Sequence, residues 1–347
     1  MTSPATVSGR MAARVAGTHP LDSTYVLDRL AEEMTVVTPR ASEMVGEATR
    51  IPAPAAADVK VVGRSEWVER NLASFAHLLE PAERRIAEKL ESSGPMGAAA
   101  AAVAHQVVEA ETGLLLGFLS RRVLGQYELV LPTGDRGDTV AYVGVNLLDL
   151  ERRNQFRPSE FRLWVALHEM THRAQFVGIP WMADYFLSLV GKLVGQAVPE
   201  PGRLARIVRE VVDARSEDRP LIDERGLLGL FASPDQRETL DEVQALMSLL
   251  EGHGHVIMDR IGAEILRGHA RMSRVLKARR SDPKTQLLFR LTGLEMKMRQ
   301  YEMGEAFILA VERQAGWESL DAAWESPETL PTLAEIEDPG RWLSRVG

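Results

Sequence analysis

The chain has 347 residues, 45% hydrophobic and 26% charged, with a formal net charge of -8 and no cysteine. That balance belongs to an ordinary globular protein with room for a large core, and its acidity argues against nucleic acid or an anionic membrane surface as a partner. Without cysteine there is no disulfide framework and no thiolate metal site, so any metal must be held by His, Asp or Glu.

The opening MTSPATVSGRMAARVAG has no apolar run long enough for a signal h-region. The most apolar later stretch, Trp181 to Val198, is interrupted by Asp184, Lys192 and Gln196. A cytoplasmic protein with no membrane span is expected.

Residues Met1 to about Arg50 read as short amphipathic helices, with Leu27, Leu30 and Met34 at helical spacing after the turn signal Pro20 to Ser23. Ile51 to Asp58, IPAPAAAD, has the composition of a connector. This places a helical segment and linker over 1–58, ahead of a main domain over 59–347. Trp67, Leu72, Phe75 and Leu79 form a core stripe. In Ser92 to Gly125, Gly97, the Ala98 to Ala102 series and Gly117 leave little side-chain bulk and invite a close neighbouring helix. Val103, Val107, Leu114 and Phe118 supply the buried face there, and His105 reads as structural.

Two β candidates follow, Tyr127 to Leu131 and Thr139 to Val145, around the turn PTGDRGD. They are expected to pair as a hairpin. Thr139 to Asn146 is a candidate edge for an extended peptide to join, with a purely structural hairpin as the alternative.

The next stretch, FRLWVALHEMTHRAQFVG from Phe161 to Gly178, carries the chemistry. Helical positions four apart differ by about 40° of rotation, so His168 and His172 sit one turn apart on one face and can share one metal ion. Glu169 lies about 100° round from the first imidazole, beside that ion, where its carboxylate can take a proton from water. This HExxH arrangement is that of zinc peptidases. Phe161, Leu163, Trp164, Val165 and Leu167 make the upstream half apolar, so the helix should be buried. The alternative is a pair of core histidines satisfied by backbone carbonyls.

Pro180 and Trp181 break the helix. Trp181 to Val198 then reads as an apolar helix, first of all a plain core helix, with a cover over the site or a homo-oligomer contact as alternatives. Pro199 to Arg225 carries many charges and reads as a solvated excursion.

A catalytic zinc takes three protein ligands and leaves one position for water. The extended HExxHxxGxxH pattern needs Gly at 175 and His at 178, and the chain has Gln175 and Gly178. A carboxylate from a later helix is the other solution. In the periodic segment Pro234 to Leu266, Glu251 is embedded among Leu246, Met247, Leu249 and Leu250, where a metal would satisfy a buried acid. Gly252 and Gly254 thin the helix there. Glu251 is therefore the first choice for third ligand. His255, one turn on, either competes for the metal or supports the site from behind it. His253 points elsewhere and reads as structural or exposed, and Asp259 is placed to orient His255 or to sit at the surface.

HEMTHRAQFVGIPW preceded by FRLWVAL, LLEGHGHVIMD, LEMKMRQYEMGEAFI and WESPETLPTLAEIEDPGRWL together resemble the zincin-like metallopeptidases of actinobacteria and related bacteria, from about Arg64 to the C-terminus. That family is often described as hydrolases associated with coenzyme F420 biosynthesis, an association of context, and nothing in these residues shows an F420 site. The resemblance implies a mainly α, zincin-like helical metallopeptidase fold with a small β-hairpin or sheet before the HExxH helix. It also implies Zn2+ at His168 and His172, with Glu169 as catalytic carboxylate. The match of EGHGH to the family's downstream glutamate segment supports Glu251.

Gly293 to Gly316 reads as an amphipathic helix whose Tyr301 could donate to an oxyanion, or simply pack at a helix interface. The Pro-punctuated tail is expected to wrap on the surface with Trp342 as anchor. The leading expectation is a zinc-dependent hydrolase, a peptidase with a peptide or protein substrate. The alternative is a non-catalytic helical scaffold with structural or vestigial zinc that binds a protein partner.

Overall fold

The computed structural model describes residues 6–52, 57–91, 106, 109–110, 112–130, 134–195, 234–280 and 295–347. They fall into two compact units, Met1–Pro180 with Ile257–Met272, and Trp181–Val256 with Ser273–Gly347. The fold is mainly helical with a small three-stranded sheet.

The first unit begins with α1 (Val7–Ala16) and α2 (Tyr25–Thr49), followed by β1 (Asp58–Val62) and α3 (Arg64–Glu91). Next come β2 (Gly125–Val130), β3 (Arg136–Val143), α4 (Gly144–Arg153) and α5 (Pro158–Gly178). The N-terminal stretch contains one short helix, but α2 runs 25 residues straight across Pro39. Leu30, Met34, Thr38, Ala41, Val45 and Thr49 form a buried stripe on both sides of the proline, and α2 packs along α5. That continuous burial outweighs the one backbone hydrogen bond a proline removes. The helix stops where Arg50 turns left-handed at φ 59° and its N–H reaches Gly46 O.

The sheet runs β1-β3-β2. β2 and β3 pair antiparallel, as expected of the hairpin, and β1 adds to β3 in parallel. This corrects the reading of Thr139 to Asn146 as an edge. β3 is the central strand, hydrogen-bonded on both flanks, and from Gly144 the chain is already helix. The edge on the hairpin side is β2.

Each sheet face has its own helix. Alternation sends Gln126 and Glu128 of β2 toward α3, where Gln126 exchanges amide hydrogen bonds with Asn71 and Glu128 takes two from Arg70. On that side Ala141 and Val143 of β3 join Ala12, Val62, Trp67, Val68 and Leu116 in a core. From the expected stripe, Trp67 is buried but Phe75 is 39% exposed. Helical residues 112–120 approach α1 closely, as Gly117 predicted: a Cβ at Gly113 or Gly117 would strike the carbonyl of Ser8 or Ala12. Leu114 faces outward and Leu116 is buried. Gly97, the Ala98 to Ala102 series and His105 lie outside the described residues.

The opposite face carries α5, with Phe161, Trp164 and Leu167 fully buried, as the apolar pattern demanded. Its Arg162 is buried too, and it forks onto both oxygens of Glu151 at 3.0 Å and also bonds Glu33. One guanidinium thereby ties α5 to α4 and α2.

The second unit holds α6 (Met182–Gly195), most of α7 (Pro234–Ile265), most of α8 (His269–Arg280) and α9 (Glu295–Ala315). α7 and α9 cross at two glycines. A Cβ at Gly252 would fall 2.2 Å from the Gly304 carbonyl carbon, and one at Gly304 would fall 1.8 Å from Ser248 O. The thinning of the helix at Gly252 is thus used by α9. The tail forms 3-10 turns at Trp317–Trp324 and Pro327–Thr329, then α10 (Leu333–Glu337) and α11 (Pro339–Val346). Trp342 anchors it, fully buried, edge-on to Phe307 and donating from Nε1 to Thr329 O at 2.8 Å. Arg345 grips both oxygens of Glu335 and donates to the carbonyls of Glu328 and Leu330. The charged stretch Pro199 to Arg225 lies outside the described residues. Among the described residues no helix is long and apolar enough to cross a membrane.

Candidate metal centre

The site starts on α5, which Pro158 opens at its first turn and which stays helical through Gly178. The period of the helix puts the two half-buried imidazoles, His168 and His172, edge to face, with ring centroids 4.6 Å apart. Their Nε2 atoms face each other at 3.2 Å. Two nitrogens bound to one tetrahedral zinc at 2.0–2.1 Å would be separated by roughly 3.4 Å. The pair therefore fits a single ion between its Nε2 atoms without rearrangement of the helix.

Residues just beyond the pair hold this turn in place. Gln175, fully buried, brings Oε1 to 2.9 Å from His172 Nδ1. Arg173, 2% exposed, makes two 2.6 Å hydrogen bonds to Asp138 on β3. Phe176 stacks on Tyr127 of β2, whose hydroxyl donates to Gly137 O. Burial, and then the Asp138 charge, push the Tyr127 phenol up, so it stays neutral and serves as a donor.

Glu169 is 5% exposed. Its carboxylate lies against the first residue of β2, where a Cβ on Gly125 would come within 2.7 Å of Glu169 Cγ and Oε1. The missing side chain at 125 is the space that the acid uses. Behind it, Tyr142 of β3 is fully buried and shares a 3.1 Å hydrogen bond with Thr38 of α2. Burial and the nearby Glu169 charge raise that phenol, which remains protonated.

In the second unit, Glu251 is on α7 as expected and is buried at 6% exposure, beside Leu249 and Leu250 at 0%. His255 follows one turn later and is also buried. His253 is not exposed: it is packed between Trp317, stacked at 6.0 Å, and Trp324 at 5.0 Å. In the first unit, the carboxylate of Asp259 lies 3.1 Å from His269 Nε2. Tyr301 belongs to α9, but its side chain lies outside the described residues.

Three contributors were not assigned a role from sequence. Gln175 follows His172 by three positions on a buried helix face, a spacing that signals side-chain contact. Arg173 in the middle of an apolar helix signalled a buried partner. Gly125 gave no local signal, because what it accommodates comes from a distant segment.

A profile of zincin-like metallopeptidases matches residues 5–343. No curated protein matches the chain significantly. Among solved structures, a protein from Chloroflexus aurantiacus described as "a putative hydrolase with a novel fold" is similar, with a TM-score of 0.68 and 28% identity, covering 98% of this chain and 97% of its own.

Proposed function

Because the chain belongs to the zincin-like metallopeptidase family, we propose that it is a zinc-dependent hydrolase, and specifically a peptidase acting on a peptide or protein substrate. The observation that carries this reading is the His168–His172 pair, its Nε2 atoms 3.2 Å apart with the Glu169 carboxylate on the adjoining residue. Glu251 is the third ligand in this reading, because a metal would satisfy a carboxylate buried on α7 next to Leu249 and Leu250. Two imidazoles and one carboxylate form an attested catalytic set. His255, buried one turn on along the same helix, is in this reading either the competing donor or a support behind Glu251.

A bound zinc would polarise a scissile carbonyl and lower the pKa of a water at the remaining position. Glu169 supplies the proton traffic: its carboxylate takes a proton from the attacking water and returns it to the leaving nitrogen. Gly125 and the buried layer of Tyr142 keep that carboxylate in one place. An extended substrate has an edge to join on β2, which among the described residues pairs only with β3 and whose first residue abuts Glu169.

Protein purified without chelator is expected to carry about one equivalent of zinc; under about half an equivalent would sink the reading. Against a fluorogenic peptide library, Glu169→Gln should keep the metal and lose at least about 100-fold in turnover. Unchanged turnover would remove Glu169 from the mechanism.

A further inference from the structure

We propose that Gln175 is the positioning residue that sets the proton of His172, holding it on Nδ1 so that Nε2 presents its lone pair to a metal. This rests on the zinc reading above for its purpose, though not for its geometry. Oε1 of Gln175 lies 2.9 Å from His172 Nδ1, and the amide is fully buried one helical turn beyond the ring. A carbonyl oxygen only accepts, so the contact requires a hydrogen on Nδ1. In a neutral imidazole that leaves Nε2 without one, and Nε2 is the atom that faces His168 Nε2 at 3.2 Å. The reverse amide orientation would donate to Nδ1 and move the proton to Nε2, closing the ligand position.

The residue type carries a second consequence. Metal-binding histidines are commonly held from behind by a carboxylate, which raises the donor strength of the ring, or by a neutral carbonyl. Gln175 is of the neutral kind: it fixes tautomer and ring plane without adding a negative charge to a site that already contains Glu169. Its backbone is locked by α5, and its neighbours on that helix are fastened to the sheet through Arg173 with Asp138 and Phe176 with Tyr127. The ring plane of His172 is therefore referred to the sheet through a chain of packed, partly buried contacts.

The test uses full-length protein in the metal-free state. Two-bond nitrogen–proton correlation of the imidazole rings should show His172 as a single neutral tautomer with its proton on Nδ1. Gln175→Met keeps length and removes the amide acceptor. It should mix the tautomers and weaken zinc, read by competition with a chelating dye, by about 10- to 100-fold, while the thermal unfolding midpoint moves only a few degrees. Gln175→Glu restores an acceptor oxygen and should restore the single tautomer, even where Gln175→Met folds poorly. A wild-type His172 protonated on Nε2, or zinc affinity in Gln175→Met within about twofold of wild type, would overturn the assignment. If the wild type binds no zinc, the hydrolase reading fails, and the tautomer spectrum decides Gln175 by itself.

Discussion

Asp138 on the central strand accepts two hydrogen bonds of 2.6 Å from Arg173, the residue immediately after His172. The guanidinium is 2% exposed and the carboxylate 39%, so the positive partner depends on the pair far more than the negative one does. Asp138→Ala should destabilise the first unit by about 2–3 kcal/mol, below the range for a fully enclosed pair because water already reaches Asp138. Urea unfolding would check it; a loss below 1 kcal/mol would mean Arg173 is held by its other neighbours.

Gly125→Ala should separate metal binding from turnover. The new methyl would press on Glu169 Cγ and Oε1 at 2.7 Å, and the acid must rotate or the strand must shift. Displacing a reacting group by about 1 Å costs on the order of 100-fold. We expect zinc content to stay at wild-type level while kcat falls by about 10- to 100-fold. Equal loss of zinc and activity would point to a wider rearrangement of α5.

At the α7–α9 crossing, the penalty should be structural. Gly304→Ala places a methyl 1.8 Å from Ser248 O, and Gly252→Ala places one 2.2 Å from the Gly304 carbonyl carbon. Both obstacles are backbone, so the helices themselves must move apart. Each substitution should cost at least about 3 kcal/mol, the upper part of the overpacking range. Thermal melts followed by circular dichroism would measure it, and a midpoint unchanged within a degree would refute the tight crossing.

Acid should loosen the tail in a defined direction. The hydrogen bonds from Arg345 hold the Glu335 carboxyl below the usual carboxylate range, against the opposing effect of its burial. A lowered folded-state pKa gives stability that is complete above the unfolded value of about 4.3 and disappears as pH falls through the lowered one. With Arg345 38% exposed, the contribution is about 1 kcal/mol. Arg345→Met should therefore unfold earlier than wild type at pH 7, and the gap should narrow as pH falls through the lowered Glu335 value, leaving the part owed to the Glu328 and Leu330 carbonyls. A gap that persists undiminished at pH 3 would assign the effect to packing.

How much was readable depended on the range of the interaction. The helices bearing His168, His172 and Glu251 were legible because their apolar residues recur at helical spacing over several turns and the spacing of the two histidines is itself a helical period. Trp342 was legible because a large apolar ring in a Pro-punctuated tail has to be covered. β1 was not, since Val59 to Val62 is a short run beside an Ala- and Pro-rich stretch, and its partner lies in a segment far along the chain. The same distance hid the central position of β3: a hairpin announces itself locally, but a parallel neighbour does not. Pro39 concealed the length of α2, because local propensity counts the lost hydrogen bond and not the stripe packed along α5.

The flanking of β3 on both sides also sets a clock. Its amides at residues 139–143 can trade hydrogen for deuterium only when the layer between α3 and α5 opens, whereas those at the outer margin of β2 need no such event. Deuterium uptake along these two neighbouring strands would thus compare wholesale unfolding of the first unit with local breathing beside Glu169, in one sample.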